Sequence, residues 1–291
     1  MYFYKKLRVA VWVVSALVGL TVILLPFLLR QYAPTQPYLI PITQQVNNTL
    51  AFGLVIMLGF PAVVEYTNYR WGRQIEQAVP RLLRDIAEAV RSGVTLPRAV
   101  EEASQRSYGP LSKELEYALA KFLLGASWEE AMTSLTKRIN RPVIARLATI
   151  LVEANQTGGK VSEVLDTSVQ LFSSLEEYKE EQLNNTRPYL LTIYMATAIF
   201  LVIAYVVLTQ FLAPLAISST RQAATAGVTT TLANVLDINY YKSILFWASI
   251  IESFFGGLIS GKIGERSYLA GLRHSIILIT VTLVFFNLTG V

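Results

Sequence analysis

Cysteine is absent from the 291-residue chain, and histidine occurs only once. Without cysteine there can be no disulfide, no thiolate nucleophile and no cysteine-based metal site, and a single histidine cannot form a histidine cluster. Charge is scarce as well, since Asp, Glu, Lys and Arg make up 15% of the residues, against about 25% in soluble domains. Apolar residues reach 53%. This composition predicts a membrane protein, and we expect no cofactor.

Five long apolar runs predict five membrane-spanning helices, since a span needs about 20 such residues. The runs cover residues 9–29, 50–64, 189–212, 243–261 and 275–289. The second run is short and holds Pro61, so it spans only if its polar flanks reach the two interfaces. The first run has a basic flank like that of a signal peptide, but its length predicts a retained anchor.

Basic residues beside the runs predict the orientation of the chain, because Lys and Arg favour the cytoplasmic side of a membrane. With the N-terminus inside, the cytoplasmic flanks hold Lys5, Lys6, Arg8, Lys262, Arg266 and Arg273. The external segments then hold Arg30, Arg221 and Lys242, and residues 213–242 are expected to form a polar, partly irregular loop. The excess of positive charge lies beside the spans, and this distribution argues against a nucleic-acid partner.

The spans enclose a segment of balanced charge, residues 67–187, which holds sixteen basic and sixteen acidic residues. Apolar residues within it recur at spacings of three and four, which predicts about six helices. The predicted fold is therefore all-α and polytopic, with a cytoplasmic six-helix bundle inserted between the second and third spans. Residues 1–66 carry two spans, residues 67–187 form the bundle, and residues 188–291 carry three spans.

A helix–glycine–helix phrase occurs three times in this segment, at residues 93–99, 125–131 and, more loosely, 159–165. In each copy a glycine is expected to end one helix, and a Ser or Thr caps the next. Ser127 and Glu130 also have the spacing of a capping box. Taken alone, the phrase predicts only the corners of a helical bundle.

Five short motifs occur in order between residues 82 and 165. They are Leu83-x-x-Ile86-Ala87, Ser92-Gly93-x-x-Leu96-x-x-Ala99, Tyr108-Gly109-Pro110-Leu111, Gly125-x-Ser127-x-x-Glu130-Ala131 and Gly158-Gly159-x-x-x-x-Val164-Leu165. Together they resemble the type II secretion F domain, which occurs in platform proteins of type IV pili, archaella and type II secretion systems. Two further motifs resemble the loop before the last span of archaeal and tight-adherence-type members: Gly256-Gly257-Leu258-x-x-Gly261-Lys262 and Ala270-Gly271-Leu272-Arg273-His274-Ser275.

This resemblance implies a platform protein of the cell membrane that is not itself an enzyme. It implies two protein partners, a hexameric secretion ATPase on the cytoplasmic side and pilin-like subunits in the membrane, besides the membrane lipids. Many members carry two F domains, whereas this chain carries one, which implies a homodimer or a heterodimer with a sister subunit. The absence of cysteine and the family subtype point to an archaeal source.

Two groups of basic residues are candidates for docking the ATPase that the resemblance implies. Each group is alternatively a solvated surface without a partner. The first group shares one helix face, and the second lies at the corner between the fourth and fifth bundle helices: Arg81, Arg84 and Arg91, then Lys137, Arg138 and Arg141.

Small residues recur every fourth position of the fourth span, a spacing that lets membrane helices approach closely. They are Ser249, Ser253, Gly257 and Gly261. We expect this stripe inside the bundle of spans or at a contact with another subunit. Glu252 lies in the middle of the same span, where an ionisable residue needs a partner. It is either protonated and hydrogen-bonded to a neighbour such as Thr197 or Thr280, or it contacts a subunit that moves through the membrane.

The run Gly256-x-x-x-x-Gly261-Lys262 nearly matches a phosphate-binding loop. Ile263 occupies the position of the Mg²⁺-binding Ser or Thr, and no strand precedes the run, so we expect no nucleotide site. His274, at the entrance of the last span, is either an interfacial anchor or a titrating group.

Two other function classes remain open from the sequence. A membrane transporter or channel with a cytoplasmic regulatory helical domain predicts inverted repeats or polar groups near the midplane, of which only Glu252 is present. An intramembrane enzyme needs a catalytic constellation within the spans, and none is evident. A flux assay in liposomes separates the transporter from the platform.

Overall fold

The computed structural model describes residues 5–32, 40–215 and 238–290, and within them it is helical and free of strands. The described residues contain nine α-helices. They are α1 (Lys5–Leu28), α2 (Gln44–Arg91), α3 (Leu96–Ser104), α4 (Pro110–Leu123), α5 (Trp128–Arg138), α6 (Pro142–Gln156), α7 (Val161–Val206), α8 (Ile238–Glu265) and α9 (Tyr268–Thr289). A 3₁₀ turn, Gly158–Lys160, precedes α7, and a π-helical segment, Val207–Leu212, follows it.

Five helical stretches are long and apolar enough to cross a membrane. They are Lys6–Leu28, Gln44–Arg91, Val161–Leu215, Ile238–Glu265 and Tyr268–Thr289. The predicted all-α, polytopic fold is confirmed, and the chain is a multi-pass membrane protein. Most of the predicted external loop, including Arg221, lies outside the described residues.

Two helices are much longer than the sequence pattern indicated. The second predicted span and the first bundle helix form one 48-residue helix, α2, and the last bundle helix continues into the third span as α7. Neither Pro61 nor Pro80 interrupts α2. A proline removes one backbone hydrogen bond and favours a kink, but flanking turns and packing retain the helix here.

The described residues divide into two compact units. The helical unit is Thr67–Asn184, and the span unit combines Lys5–Tyr66 with residues 185–290. The helical unit contains the second half of α2, all of α3 to α6, and the first part of α7, so α2 and α7 contribute residues to both units.

The helical unit has one apolar core to which all six of its helices contribute. Its largest fully buried side chains are Ile75, Leu82, Leu83, Ile86, Leu111, Leu115, Met132, Leu135, Ile139, Ile144, Leu147 and Leu151. They recur at three- and four-residue spacing along α2, α4, α5 and α6, as the sequence predicted. Each such side chain stabilises the fold by about 1.5–3 kcal/mol relative to exposure, so the unit is held together mainly by this core.

Glycines end two of these helices in the same way. Gly93 and Gly125 have φ of +96° and +100°, a conformation that costs a residue with a Cβ considerably more than it costs glycine. After each glycine, the next amide donates to a carbonyl five residues earlier, which completes a Schellman motif. The third corner differs from the prediction, since the positive φ falls on Gly158 and not on Gly159. With this shift of one residue, Val161 lies three residues after its glycine, as Leu96 and Trp128 do at the other two corners.

The N-termini of α3 and α5 differ in their side-chain capping hydrogen bonds. Ser127 accepts a hydrogen bond at Oγ from the amide of Glu130, 3.1 Å away, as its capping role predicts. Thr95 occupies the same position before α3, but its side chain forms no capping hydrogen bond.

Candidate functional site

The small residues of α8 pack against α9 of the same chain. A Cβ built on Gly257 would lie 2.1 Å from the Ser275 nitrogen, and one on Gly261 would lie 2.0 Å from the Gly271 Cα. Ser249 and Ser253 are fully buried, and the Ser253 hydroxyl lies 2.9 Å from the Thr282 hydroxyl. All four predicted small residues are therefore enclosed by the chain itself, which leaves them no free surface for a second subunit.

Glu252 differs from these four because its side chain is half-buried. Its Oε2 atom is buried and has no hydrogen-bond partner among the described residues. The bonds to Thr197 or Thr280, one of the two alternatives for Glu252, are not present, and each hydroxyl donates to a carbonyl of its own helix, that of Ile193 or of Ile276. Of the predicted intramembrane contact residues, Glu252 alone retains both exposure and an unsatisfied polar atom.

An ion pair joins the first two spans at one end of the span unit. Arg8 donates two hydrogen bonds from Nη2 to the carboxylate of Glu65, at 2.6 and 2.7 Å. The Trp12 indole donates to the same carboxylate, 3.3 Å away, and Glu65 is 5% exposed. The sequence placed Glu65 at an interface without a partner, and the structure pairs it with a residue 57 positions earlier.

His274 lies at the start of the last span, in a polar cluster. Its Nδ1 lies 2.7 Å from the Tyr194 hydroxyl, and its Nε2 accepts from Arg273 Nε, 3.3 Å away. A neutral ring with its proton on Nδ1 satisfies both contacts. Arg273 also forms an ion pair with Glu265, and its guanidinium lies over the Tyr66 ring, 4.3 Å from the centroid. These contacts are what an interfacial anchor requires.

At the opposite end of the span unit, uncharged side chains form hydrogen bonds between α2 and α8. Asn47 donates from Nδ2 to the Ser243 hydroxyl and accepts at Oδ1 from the Trp247 indole, each at 2.9 Å. Asn47 begins an Asn-x-Thr sequon, but it is 3% exposed and both ends of its amide are occupied. This asparagine is a packing residue and not a site for a glycan.

The glycine-rich run that resembles a phosphate-binding loop is helical throughout. Gly256, Gly261 and Lys262 all lie inside α8, where the backbone amides bond along the helix and cannot cradle a phosphate. The Lys262 ammonium lies over the Tyr268 ring, 4.8 Å from its centroid. Within the described part of the chain, no cluster of three or more acidic or histidine side chains could hold a metal ion.

In the first predicted docking group, two of the three arginines contact other side chains of the helical unit. Arg91 forms an ion pair of 2.5 Å with Asp166, and the Arg81 guanidinium lies over the Tyr108 ring, 5.8 Å from its centroid. Arg84 is exposed and forms no ion pair among the described residues.

In the second predicted docking group, two of the three basic residues also contact other side chains of the helical unit. Arg141 pairs with Glu76 at 3.3 Å, and Arg138 pairs with Glu114 and lies 4.1 Å from the centroid of the Tyr117 ring. Lys137 is exposed and unpaired within the described ranges. The cluster that the sequence presented as one surface is therefore partly a set of internal contacts.

Arg141 belongs to a wider charge network that the sequence did not reveal. Glu76 also pairs with Lys179, at 3.5 Å, and Arg73 pairs with Glu176, at 2.8 Å. A Cβ on Gly72 would lie 2.2 Å from Arg141 Nη2, so the glycine makes room for the guanidinium. The network ties α2, the start of α6 and α7 together within the helical unit.

Two exposed leucines at the end of α4 were missed by the sequence reasoning. Leu123 and Leu124 are 69% and 88% exposed, in a unit whose other leucines are mostly buried. Neither leucine falls on the buried stripe of α4 that runs through Leu111 and Leu115. This departure from the helical spacing is the sequence signal that could have predicted their exposure. Tyr117, half-exposed, shares a helix face with Leu124.

Arg138 contacts Tyr117 in the middle of α4, about two turns before Leu123 and Leu124. We use the name α4–α5 surface for the exposed residues of this helix pair. Its members are Tyr117, Lys121, Leu123, Leu124, Lys137 and Arg138.

Residues 82–209 match the family model of the type II secretion system (T2SS) protein F. The chain contains a T2SS protein F domain. This domain runs from α2 of the helical unit through α3 to α6 and along α7 into the third span. The F domain predicted from the motifs is therefore confirmed over these residues.

An uncharacterized protein of Methanocaldococcus jannaschii is 28% identical over 241 residues, which are 82% of this chain and 38% of that protein. The chain with its F domain thus spans well under half the length of this relative. No solved structure matches the chain.

Proposed function

We propose that the chain is a platform of the cell membrane for assembling type IV pilus-like filaments or for type II-like secretion. It couples a cytoplasmic hexameric ATPase to the movement of pilin-like subunits and is not itself an enzyme, since the partner hydrolyses ATP. The observation that carries this proposal is the extent of the F domain, residues 82–209. One domain offers a water-facing surface and continues into a membrane span, as a coupling element requires.

The distribution of charge supports a cytoplasmic N-terminus and helical unit. Arg8, Lys262 and Arg273 lie where α1 begins, α8 ends and α9 begins. Arg8 contacts Glu65 near the end of the second span, so these basic flanks belong to one end of the span unit. Basic residues at that end favour its placement on the cytoplasmic side.

The α4–α5 surface is the dock that best fits a protein partner. Leu123 and Leu124 supply exposed apolar area with Lys121 one turn away, and Lys137 and Arg138 supply charge at the other end of the helix pair. Exposed apolar side chains bordered by charge are typical of protein interfaces. Arg141 and Arg91, which the sequence also suggested, are engaged within the unit and are poor candidates.

The platform contains two copies of the F domain, from two copies of this chain or from a sister subunit. The Methanocaldococcus jannaschii relative is long enough to hold the aligned region twice, since that region covers 38% of it. That length supports a pair, whether within one chain or between two.

The test is recovery of partners from native membranes in mild detergent, with identification by mass spectrometry. We expect the unmodified chain to recover a hexameric secretion ATPase and pilin-like subunits. Leu123→Ser with Leu124→Ser should lower ATPase recovery and leave the pilin-like subunits bound. Leu171→Ser is the matched control, because Leu171 is a half-exposed leucine elsewhere in the helical unit.

A charge reversal tests the edge of the same surface. Lys137→Glu should weaken ATPase recovery most at low salt, because exposed charges are screened at high ionic strength. Lys160→Glu makes the same change at an exposed lysine outside the surface and should have no effect. Recovery of the ATPase by all variants alike would exclude the α4–α5 surface as the dock. Recovery of neither partner by the intact chain would overturn the platform itself.

A further inference from the structure

An apolar groove of about 470 Å³ opens between α2 and α9 within the span unit. Its walls are aliphatic and aromatic except at one end. The lining residues are Val55, Ile56, Gly59, Phe60, Ala62, Val63, Tyr66, Arg273, Ile276 and Ile277. Phe60 and Val63 are well exposed, so the groove faces the medium around the spans and is not an internal void.

The length of the groove along α2 matches the thickness of one leaflet of a bilayer. It follows α2 from Val55 to Tyr66, which at 1.5 Å per residue is about 16 Å. The hydrocarbon core of a bilayer is about 30 Å thick, so one leaflet contributes about 15 Å.

The end of the groove at Tyr66 is the polar end, and it is positively charged. Arg273 reaches it with a side chain that is 33% exposed. Lys262 and Arg266 lie at the adjoining end of α8, and both carboxylates near this end, those of Glu65 and Glu265, are ion-paired. Basic residues between helices at a cytoplasmic interface are suited to anionic lipid headgroups.

Gly59 keeps the middle of the groove open. A Cβ added at this position would meet no atom within 4 Å, unlike the glycines of α8 that contact α9. Glycine inside a helix lowers its stability, and none of the described helices packs against Gly59 to require it. The absence of a side chain here leaves space for an acyl chain.

A second groove, of about 450 Å³, begins at Val55 and continues along α2 and α9 to the other end of the spans. Its polar residues, Thr280 and Asn287, are neutral, and its lining residues include no cation. The two halves of the α2–α9 face therefore differ in the charge at their ends.

We propose that the groove from Val55 to Tyr66 binds one phospholipid with an anionic headgroup. Its acyl chain lies along Gly59 and Phe60, and its phosphate lies beside Arg273. The cation at the end of this groove, and the absence of one from the lining of the second groove, favour a lipid with an anionic headgroup over a helix of another protein.

The test uses the purified full-length chain in mild detergent and native mass spectrometry. The probes are phosphatidylglycerol and phosphatidylcholine with the same acyl chains. We expect phosphatidylglycerol to bind about fivefold more tightly, as one basic contact at a membrane surface allows. Gly59→Leu fills the groove and should weaken binding of phosphatidylglycerol at least about tenfold, because several methylene groups lose their apolar contact.

Ala198→Leu is the matched control, since Ala198 is exposed on α7 and does not line the groove. It should bind phosphatidylglycerol as the unmodified chain does. Arg273→Gln should abolish the preference between the two lipids, and if this variant does not fold, Gly59→Leu still decides. Equal binding of both lipids by the unmodified chain, or unchanged binding by Gly59→Leu, overturns the proposal.

A photoreactive benzoylphenylalanine at Phe60 distinguishes the competing occupant in native membranes. A lipid adduct supports the proposal, whereas capture of a protein helix in its place overturns it. Both readouts concern lipid binding alone, so they are independent of whether an ATPase or a pilin-like subunit is ever recovered.

Discussion

Gly261 and Gly271 bring α8 and α9 into backbone contact, because the Gly271 Cα lies 2.0 Å from where a Cβ on Gly261 would be. In the other direction, a Cβ on Gly271 would lie 2.9 Å from the Gly257 carbonyl oxygen. Lipid tails are as apolar as the helices, so dispersion contacts between closely packed backbones hold such a pair together. The hairpin of the last two spans therefore depends on these glycines.

Gly261→Val should destabilise the chain by at least about 3 kcal/mol, since the clash is with backbone and no rotamer change relieves it. Thermal unfolding of the full-length chain in detergent measures this effect. Gly59→Ala is the control, because it adds a methyl group to a glycine of another span where nothing lies within 4 Å. Equal unfolding temperatures for the two variants would show that the close approach is absent in solution.

Ser127→Ala should destabilise the helical unit by about 1 kcal/mol, the usual effect of losing an N-cap hydrogen bond. Thr95→Ala should have a smaller effect, since Thr95 forms no capping bond. Denaturant unfolding monitored at Trp128 compares the two variants, because this buried tryptophan adjoins the cap. A larger loss from Thr95→Ala would contradict the capping geometry.

The corners of the bundle could be predicted because their causes are local. Gly93 and Gly125 act through bonds to carbonyls within five residues, and Ser127 acts on an amide three residues later. The charge network could not be predicted in this way. Arg141 pairs with Glu76 across 65 residues, so its partner follows only from tertiary packing.

The same reasoning applies within the spans. Helical spacing identified the small face of α8, but it could not say that α9 of the same chain covers it. The sequence left Glu252 either hydrogen-bonded to a hydroxyl or in contact with another subunit, and the hydroxyls of Thr197 and Thr280 donate to carbonyls of their own helices, as membrane threonines often do. The α2–α9 groove has no sequence signal except the unexplained glycine at position 59.

Arg141→Glu should destabilise the helical unit by about 1–3 kcal/mol, because it places a second carboxylate against Glu76. Lys137→Glu should change stability by less than about 0.5 kcal/mol, since Lys137 is exposed and unpaired among the described residues. Denaturant unfolding of the full-length chain measures both. The double variant Glu76→Arg with Arg141→Glu should recover part of the loss, and failure to do so would mean that the ion pair is not the cause.

Tyr108 should make the fold sensitive to alkali. Burial raises the pKa of its phenol above the ordinary 10.0, and the hydrogen bond that the phenol donates to Asp85 raises it further. The folded chain therefore holds this proton more tightly than the unfolded chain. The resulting stability is complete below pH 10 and is lost as the pH rises towards the higher pKa of the folded state.

Tyr108→Phe removes both the proton and the hydrogen bond. It should lower stability at pH 8 by about 1–2 kcal/mol, with Asp85 still paired to Arg106 at 3.1 Å. The difference between the variant and the unmodified chain should shrink between pH 10 and 12, because only the unmodified chain loses the contribution of the buried phenol. Unfolding temperatures across this range measure the effect. A difference that stays constant with pH would place the phenol in water and would contradict its contact with Asp85.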